Sequence, residues 1–122
     1  MTALARKGAV HMAGAFVMMG GWAVFANSAH PMPLPLLAGL VQGTISALIT
    51  LFLKRMIEAV SRRLSGLAAL LVPPLLAFCL SLVLLSILHS LAGTPEIAAT
   101  IAVPLIVSTS YAALYSYALW RS

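Results

Sequence analysis

The chain has 122 residues, of which 62% are hydrophobic and only 7% are charged. A soluble domain of this length needs a charged surface, so the composition excludes one and indicates an integral membrane protein. The net charge of +5 comes from Lys and Arg residues at the ends of apolar segments. That distribution is typical of membrane topology signals and argues against a nucleic-acid-binding protein.

The first apolar segment, residues 9–26, follows a short start that contains Arg6 and Lys7. A basic start, an apolar centre and small residues at 26–29 are also typical of a signal peptide. The apolar run is long for a signal, so we predict that it is the first transmembrane helix. A turn rich in proline, residues 27–33, then separates it from the second helix.

The second apolar segment, residues 34–53, carries no charge. As a helix its twenty residues span about 30 Å, the thickness of the hydrocarbon core of a bilayer. Residues 54–64 continue the helical spacing of apolar residues among charged ones. We predict an amphipathic cytoplasmic extension that lies against the lipid headgroups, with Glu58 and Arg62 paired one turn apart.

The third apolar segment, residues 67–89, is rich in leucine and contains Pro73 and Pro74 near its start. Proline removes a backbone hydrogen bond from a helix interior. We therefore predict either a kink or a late helix start around Val72.

The fourth apolar segment, residues 97–120, follows a second short turn, residues 90–96. Thr94 as N-cap and Pro95 at the first helical position, with Glu96 in the first turn, form a good helix start. We predict that these residues begin the fourth transmembrane helix.

All Lys and Arg residues fall on one side of a four-span arrangement. They are Arg6, Lys7, Lys54, Arg55, Arg62, Arg63 and Arg121. The two turns on the other side contain none, so the positive-inside rule places both termini in the cytoplasm. The predicted fold is all-α: one transmembrane domain, residues 1–122, that forms an integral-membrane four-helix bundle of two tandem transmembrane hairpins in the cell inner membrane.

The second and fourth helices share an internal similarity. Residues 41–55 align with residues 107–121 at a constant offset, with identities that include Ala47/Ala113 and Arg55/Arg121. This pattern predicts a repeat of two hairpins in the same orientation. The alternative is that biased membrane composition produces such matches by chance.

Small residues recur every four positions on the second helix, at Gly39, Gly43 and Ala47. Such a strip lets the backbones of neighbouring helices approach closely. Gly20 and Gly21 of the first helix are the expected packing partners. The alternative is the ordinary glycine content of membrane helices.

A polar stripe runs beside that strip, because Gln42, Ser46 and Thr50 recur on the same period. It ends at Lys54 and Arg55. Polar side chains in a span face other helices or a water-filled cavity. The stripe therefore either forms interhelical hydrogen bonds, worth about 0.6 kcal/mol each, or lines a polar pathway. We take these five residues as candidate contacts for a substrate or a lipid.

The sequence contains no pattern that indicates an enzyme. His11, His30 and His89 match no metal-ligand spacing, and we expect interfacial or capping roles for them. Glu58 and Glu96 lie outside the predicted spans, so the spans contain no carboxylate for proton coupling. We find no nucleophile–base pair or phosphate loop and expect no catalytic activity, no cofactor and no metal.

Two motifs accompany the four-span pattern. They are the glycine pair Gly20-Gly21 and helix endings with aromatic residues before Arg, Phe52-Leu53-Lys54-Arg55 and Tyr117-Ala118-Leu119-Trp120-Arg121. In this the chain resembles the GtrA-like family of small four-span membrane proteins. The resemblance implies a role in moving polyprenyl-phosphate-linked sugars across the membrane, or in assisting the glycosyltransferases that make them. It also implies that Lys54 and Arg55 meet a lipid-linked phosphate at the inner interface.

Two functional hypotheses follow. The first is a small transport or flippase-like component for a lipid-linked or amphipathic substrate, which the polar stripe would contact. The second is a non-catalytic interaction or assembly subunit that oligomerises, or docks on a larger complex, through the face of Gly39 and Gly43. The expected partners are membrane lipids and either further copies of the chain or a larger membrane complex, and not nucleic acid.

Overall fold

The computed structural model describes residues 2–122, and the side-chain surroundings of all of these except Leu4 and Ala5. Over the described residues the chain forms four α-helices. They are α1 (Ala3–Ala26), α2 (Leu34–Arg63), α3 (Gly66–Ala92) and α4 (Ile97–Arg121). Each is long and apolar enough to cross a membrane, by length and composition. The prediction of an all-α chain with four helices of membrane-spanning length is therefore confirmed.

The helices run up and down as two antiparallel pairs, α1 with α2 and α3 with α4. Helix α2 also packs against both helices of the second pair, whereas within residues 2–122 helix α1 contacts α4 and not α3. We call one end of the bundle the turn end, because it contains the turns at 27–33 and 93–96. The opposite end, with the turn at 64–65, is the basic end, because the Lys and Arg residues lie there.

The predicted amphipathic extension is a continuous part of α2 and packs into the protein. Ile57 is fully buried and clusters with Leu53 of the same helix and with Ala77 and Ala112 of the second pair. The Glu58 carboxylate accepts a hydrogen bond from a tyrosine of α4, and the predicted pair with Arg62 is not among the ion pairs of the described residues. The predicted pairing of Glu58 with Arg62 is therefore wrong, while the predicted contact of this extension with lipid headgroups stays a prediction.

Helix α3 runs through both of its prolines, so the predicted late start was wrong. Proline has no backbone N–H, and Pro73 and Pro74 therefore leave the carbonyls of Ala69 and Leu70, four residues earlier, without helical donors. The Ser116 hydroxyl of α4 supplies a donor. Its Oγ lies 2.7 Å from the Leu70 oxygen and 3.3 Å from the Ala69 oxygen. A side chain from the neighbouring helix thus stabilises the interrupted turn.

The start of α4 also differs from the prediction. The N-cap is Glu96, which makes no side-chain capping hydrogen bond, and the helix begins at Ile97. Thr94 is buried, and its hydroxyl contacts the ring of His89 at the end of α3. Thr94 therefore joins the two helices across the turn instead of capping α4.

The α1–α2 pair is held by a close backbone contact that we call the glycine seam: Gly20, Gly39 and Gly43. A Cβ added at Gly20 would lie 2.9 Å from the Gly39 carbonyl oxygen, and one added at Gly43 would lie 2.9 Å from the Phe16 carbonyl oxygen. Real Cβ atoms do not approach backbone so closely, so these positions require glycine.

Two other residues predicted to pack with this strip lie differently. Gly21 is exposed, and a Cβ added there would meet nothing within 4 Å. The prediction that it packs against α2 is therefore wrong, because it points away from that helix. Ala47, one turn beyond Gly43, is half-buried.

Candidate functional site

A cavity of about 220 Å³ lies inside the bundle and is lined by residues of all four helices. Its polar lining side chains are Gln42, Ser46 and Thr50 of α2, with Ser108 and Tyr111 of α4. Apolar residues such as Met19 of α1 and Leu85 of α3 form much of the remaining wall. A cavity of roughly 150 Å³ in a protein holds a benzene molecule, so this one has room for a ring or a short stretch of chain.

The structure brings the three residues of the polar stripe together on the cavity wall. Gln42 is fully buried, and its Nε2 donates to Ser46 Oγ at 2.8 Å. Thr50 Oγ1 donates to the Ser46 backbone oxygen at 2.8 Å. Ser46 Oγ accepts from Gln42 and, as a hydroxyl, still has a proton to donate. The stripe therefore forms hydrogen bonds within α2 while it faces an internal space.

Lys54 and Arg55, the other two residues of the predicted site, are exposed and do not line the cavity. Thr50 and Leu53 do line it, so the cavity reaches to within one helical turn of these basic side chains. Among the described lining residues none is charged. The structure thus divides the predicted site into a neutral cavity and a basic surface at the edge of that cavity.

His89, which we expected at an interface or in a cap, is fully buried in the last turn of α3, where its ring faces α2. Its Nε2 lies 2.8 Å from Gln42 Oε1, and its Nδ1 lies 2.7 Å from Thr94 Oγ1. Because Gln42 Nε2 donates to Ser46, Gln42 Oε1 acts as an acceptor and the ring nitrogen Nε2 must donate to it. In the neutral ring Nδ1 then accepts from the Thr94 hydroxyl. The expectation of an interfacial or capping role for His89 was wrong, because its ring is bonded to two side chains in the interior.

Asn27 makes a second buried connection, which the sequence analysis did not identify. It is fully buried at the end of α1, and its Nδ2 donates to Thr100 Oγ1 at 2.7 Å and to the Ala23 oxygen at 2.8 Å. Its Oδ1 accepts from the Glu96 backbone N–H at 3.0 Å. One signal existed: Asn27 is the only asparagine of the chain, as Gln42 is the only glutamine. Both amides join the first helix pair to the second.

His30 contacts Glu96 at the surface of the same end. The distance between His30 Nε2 and Glu96 Oε1 is 3.0 Å, and both side chains remain partly exposed. Within the described residues no group of three or more His, Cys, Asp or Glu side chains is placed to hold a metal ion. This contact therefore acts as a polar link between the two turns.

The side of the bundle between α1 and α4 differs from one end to the other. The hydrogen bonds of α1 to α4 lie at the turn end, where Asn27 meets Thr100 and the Trp22 indole donates to the Ala99 oxygen at 2.9 Å. Nearer the basic end, the lining residues Val107 and Tyr111 are 49% and 40% exposed.

The basic end is held by contacts of α4. The Tyr115 hydroxyl donates to the Glu58 carboxylate at 2.5 Å, and its ring stacks on Tyr111 with the centroids 5.8 Å apart. The Trp120 indole donates to the Gly66 oxygen at 3.0 Å. These bonds fix the end of α4 against α2 and α3, below the cavity.

No family model, curated protein or solved structure matches this chain. The resemblance to the GtrA-like family stays a prediction, and the functional argument depends on the geometry of the chain itself. That geometry is a largely apolar, uncharged cavity bordered by a few hydroxyl groups, with exposed basic side chains at its edge. It suits the binding of an apolar group.

Proposed function

We propose that this protein is a small integral-membrane transport or flippase-like component for a lipid-linked or amphipathic substrate. The observation that carries the proposal is the cavity, because the polar stripe of α2 borders an internal space. A stripe that served only to join helices would have its hydroxyl and amide groups in a closed seam. Here Ser46 and Thr50 border free volume.

The proposed location is the cell inner membrane, as a multi-pass protein with both termini in the cytoplasm. The support is the distribution of charge along the helices. The Lys and Arg residues lie at the basic end, while the two turns at the turn end contain none. Such an excess on one side marks the cytoplasmic face. In this orientation the turn end faces outward.

The two parts of the site suit the two parts of an amphipathic molecule. The neutral cavity accepts an apolar or hydrogen-bonding segment, because burial of a charge there would leave it unpaired. Lys54 and Arg55, just beyond the cavity, attract an anionic headgroup at the cytoplasmic interface. The cavity volume fits a segment of such a molecule at a time, so the remainder stays in the lipid beside α4.

The alternative of an assembly subunit that docks through Gly39 and Gly43 is less well supported. Both glycines are buried within one chain, against Gly20, Val24 and Phe16 of α1. A second copy would have to displace α1 to use this face. The same contact means that enlarging Gly43 tests the stability of the single chain rather than its assembly.

A cavity-filling variant tests the transport proposal. Ala15 lines the cavity, and Ala13 is exposed on the same helix. In proteoliposomes, movement of fluorescent phosphatidylglycerol and phosphatidylcholine between leaflets is followed by dithionite quenching. We expect Ala15→Phe to slow movement by about tenfold or more, equivalent to a barrier about 1.4 kcal/mol higher. Ala13→Phe should leave the rate close to that of the parent protein.

The charged rim is tested with the same two lipids. The double variant Lys54→Gln and Arg55→Gln should slow the anionic probe and leave the zwitterionic probe unchanged. The matched control is Arg62→Gln with Arg63→Gln, which removes two exposed charges from the same helix further from the cavity. Equal rates for Ala15→Phe and Ala13→Phe, or parent vesicles that move neither probe faster than protein-free vesicles, would contradict the proposal.

A further inference from the structure

A continuous chain of hydrogen bonds runs from the turn end to the cavity. Thr94 Oγ1 lies 2.7 Å from His89 Nδ1, and His89 Nε2 lies 2.8 Å from Gln42 Oε1. Gln42 Nε2 then donates to Ser46 Oγ at 2.8 Å, and both Gln42 and Ser46 line the cavity. Of these four side chains only histidine changes its charge in the physiological pH range.

We propose that His89 is a proton-binding site that links the pH at the turn end to the opening of the cavity at that end. A proton from hydronium, which is left as water, adds to the lone pair of Nδ1, which in the neutral ring accepts from the Thr94 hydroxyl. The new Nδ1–H then donates to Thr94 Oγ1, and the hydroxyl reverses its direction. The Nε2–H continues to donate to Gln42, and the net change is one N–H bond and one positive charge.

The protonated ring would be poorly accommodated in the closed arrangement. His89 is fully buried, and its two partners, Gln42 and Thr94, carry no charge. A buried cation without a charged partner is costly, and access of water relieves that cost. Water reaches the ring if the turn at 93–96 moves away from α2.

The other titratable groups at this end are His30 of the first turn and Glu96 of the second. They contact each other at 3.0 Å and remain partly exposed. From α2 the side chain that meets the ring is the neutral Gln42, and α1 and α2 carry their Lys and Arg residues at the basic end.

The inference rests on the proposed function only for the purpose of the opening. The opening itself is measured without any transported substrate. The readout is a cysteine in the cavity, Ser108→Cys, with the native thiol removed by Cys79→Ser. Ser108 lines the cavity and is not part of the His89 chain. The full chain is placed in lipid nanodiscs and labelled with the cationic reagent trimethylammonioethyl methanethiosulfonate, which reaches the cavity through water and not through lipid.

The labelling rate is divided by that of Ser28→Cys, an exposed position at the turn end, to remove the intrinsic pH dependence of the thiol. We expect the normalised rate to rise about tenfold or more as the pH is lowered from 7.5 to 4.5, because of the four side chains in the chain of hydrogen bonds only the His89 ring gains a charge. In His89→Gln, which keeps a neutral donor and acceptor, the rate should be low at both pH values. His30→Gln is the matched control and should retain the rise.

A flat profile in the parent, a rise that persists in His89→Gln, or a rise that disappears in His30→Gln would overturn the inference. If His89→Gln does not fold, nitrogen-15 NMR of the parent decides the question. The midpoint of the labelling profile must coincide with the titration of the His89 ring, and a midpoint that follows His30 overturns the assignment. A flat profile together with normal lipid movement would remove the proton site and leave the transport function intact.

Discussion

The two antiparallel helix pairs share a topology but are held together by different chemistry. In the α1–α2 pair the backbones touch at the glycine seam, where an added Cβ would lie 2.9 Å from backbone oxygens. In the α3–α4 pair the contacts include side chains that donate to backbone, Ser116 to Leu70 and Trp120 to Gly66. The first contact depends on the absence of side-chain atoms, and the second depends on their presence.

The two kinds of contact differ at positions that the predicted repeat aligns. At its offset, Gly43 of α2 corresponds to Thr109 of α4, and Thr50 corresponds to Ser116. Thr109 carries a buried hydroxyl oxygen without a hydrogen-bond partner among the described residues. A threonine in place of glycine prevents the close backbone approach, and Ser116 provides a hydrogen bond instead. The two pairs thus share a topology, but the α1–α2 contact has no room for added side-chain atoms, whereas the α3–α4 contact uses the Ser116 hydroxyl.

The largest expected effect comes from filling the glycine seam. Gly43→Leu should lower the free energy of unfolding by about 3 kcal/mol or more, because the new side chain meets the Phe16 backbone. Gly21→Leu is the control, since a Cβ there meets nothing within 4 Å. Equilibrium unfolding of the purified chain in mixed detergent micelles measures both variants. Equal stabilities would show that α1 and α2 do not pack through this seam.

Removing the donor of the polar seam should have a smaller effect. Ser116→Ala leaves the carbonyls of Ala69 and Leu70 without the Ser116 hydroxyl and should cost about 1–2 kcal/mol. The matched control is Ser110→Ala, because Ser110 is exposed on the same helix. The same unfolding measurement applies. A loss as small as that of the control would mean that the proline-interrupted turn of α3 needs no donor from α4.

The smallest effect is expected where the two pairs meet at the basic end. Tyr115→Phe removes the hydrogen bond to Glu58, and both residues are partly exposed. The expected loss of unfolding free energy is about 0.5–1 kcal/mol. Tyr117→Phe, on an exposed side of α4, should change nothing. If Tyr115→Phe costs as much with Glu58→Ala as without it, the bond does not contribute to stability.

Much of the helical architecture was predictable because it depends on local composition. Apolar runs of about twenty residues indicate four helices long enough to cross a membrane, and the clustering of Lys and Arg marks one end of the bundle. The period of four was enough to place Gln42, Ser46 and Thr50 on one face of α2. Gly39 and Gly43 were identifiable in the same way, as small residues on a shared helical face.

The remaining features depend on which helix lies beside which, and a single helix does not encode that. His89 is buried where it hydrogen-bonds to Gln42 of another helix, and Asn27 is buried where it hydrogen-bonds to Thr100. Gly20 and Gly21 are equivalent in sequence, but the rotation of α1 directs only Gly20 towards α2. The exposure of Lys54 beside a neutral cavity likewise required the arrangement of all four helices.

The hydroxyl of Ser116 makes two distant segments of the chain genetically interdependent. Pro73 and Pro74 are tolerated in α3 because a donor arrives from a helix more than forty residues later. A lineage that lost Ser116 while it kept both prolines would carry an unsatisfied turn. One that replaced the prolines first would free Ser116 to change. Substitutions at these positions should therefore act as second-site suppressors of each other.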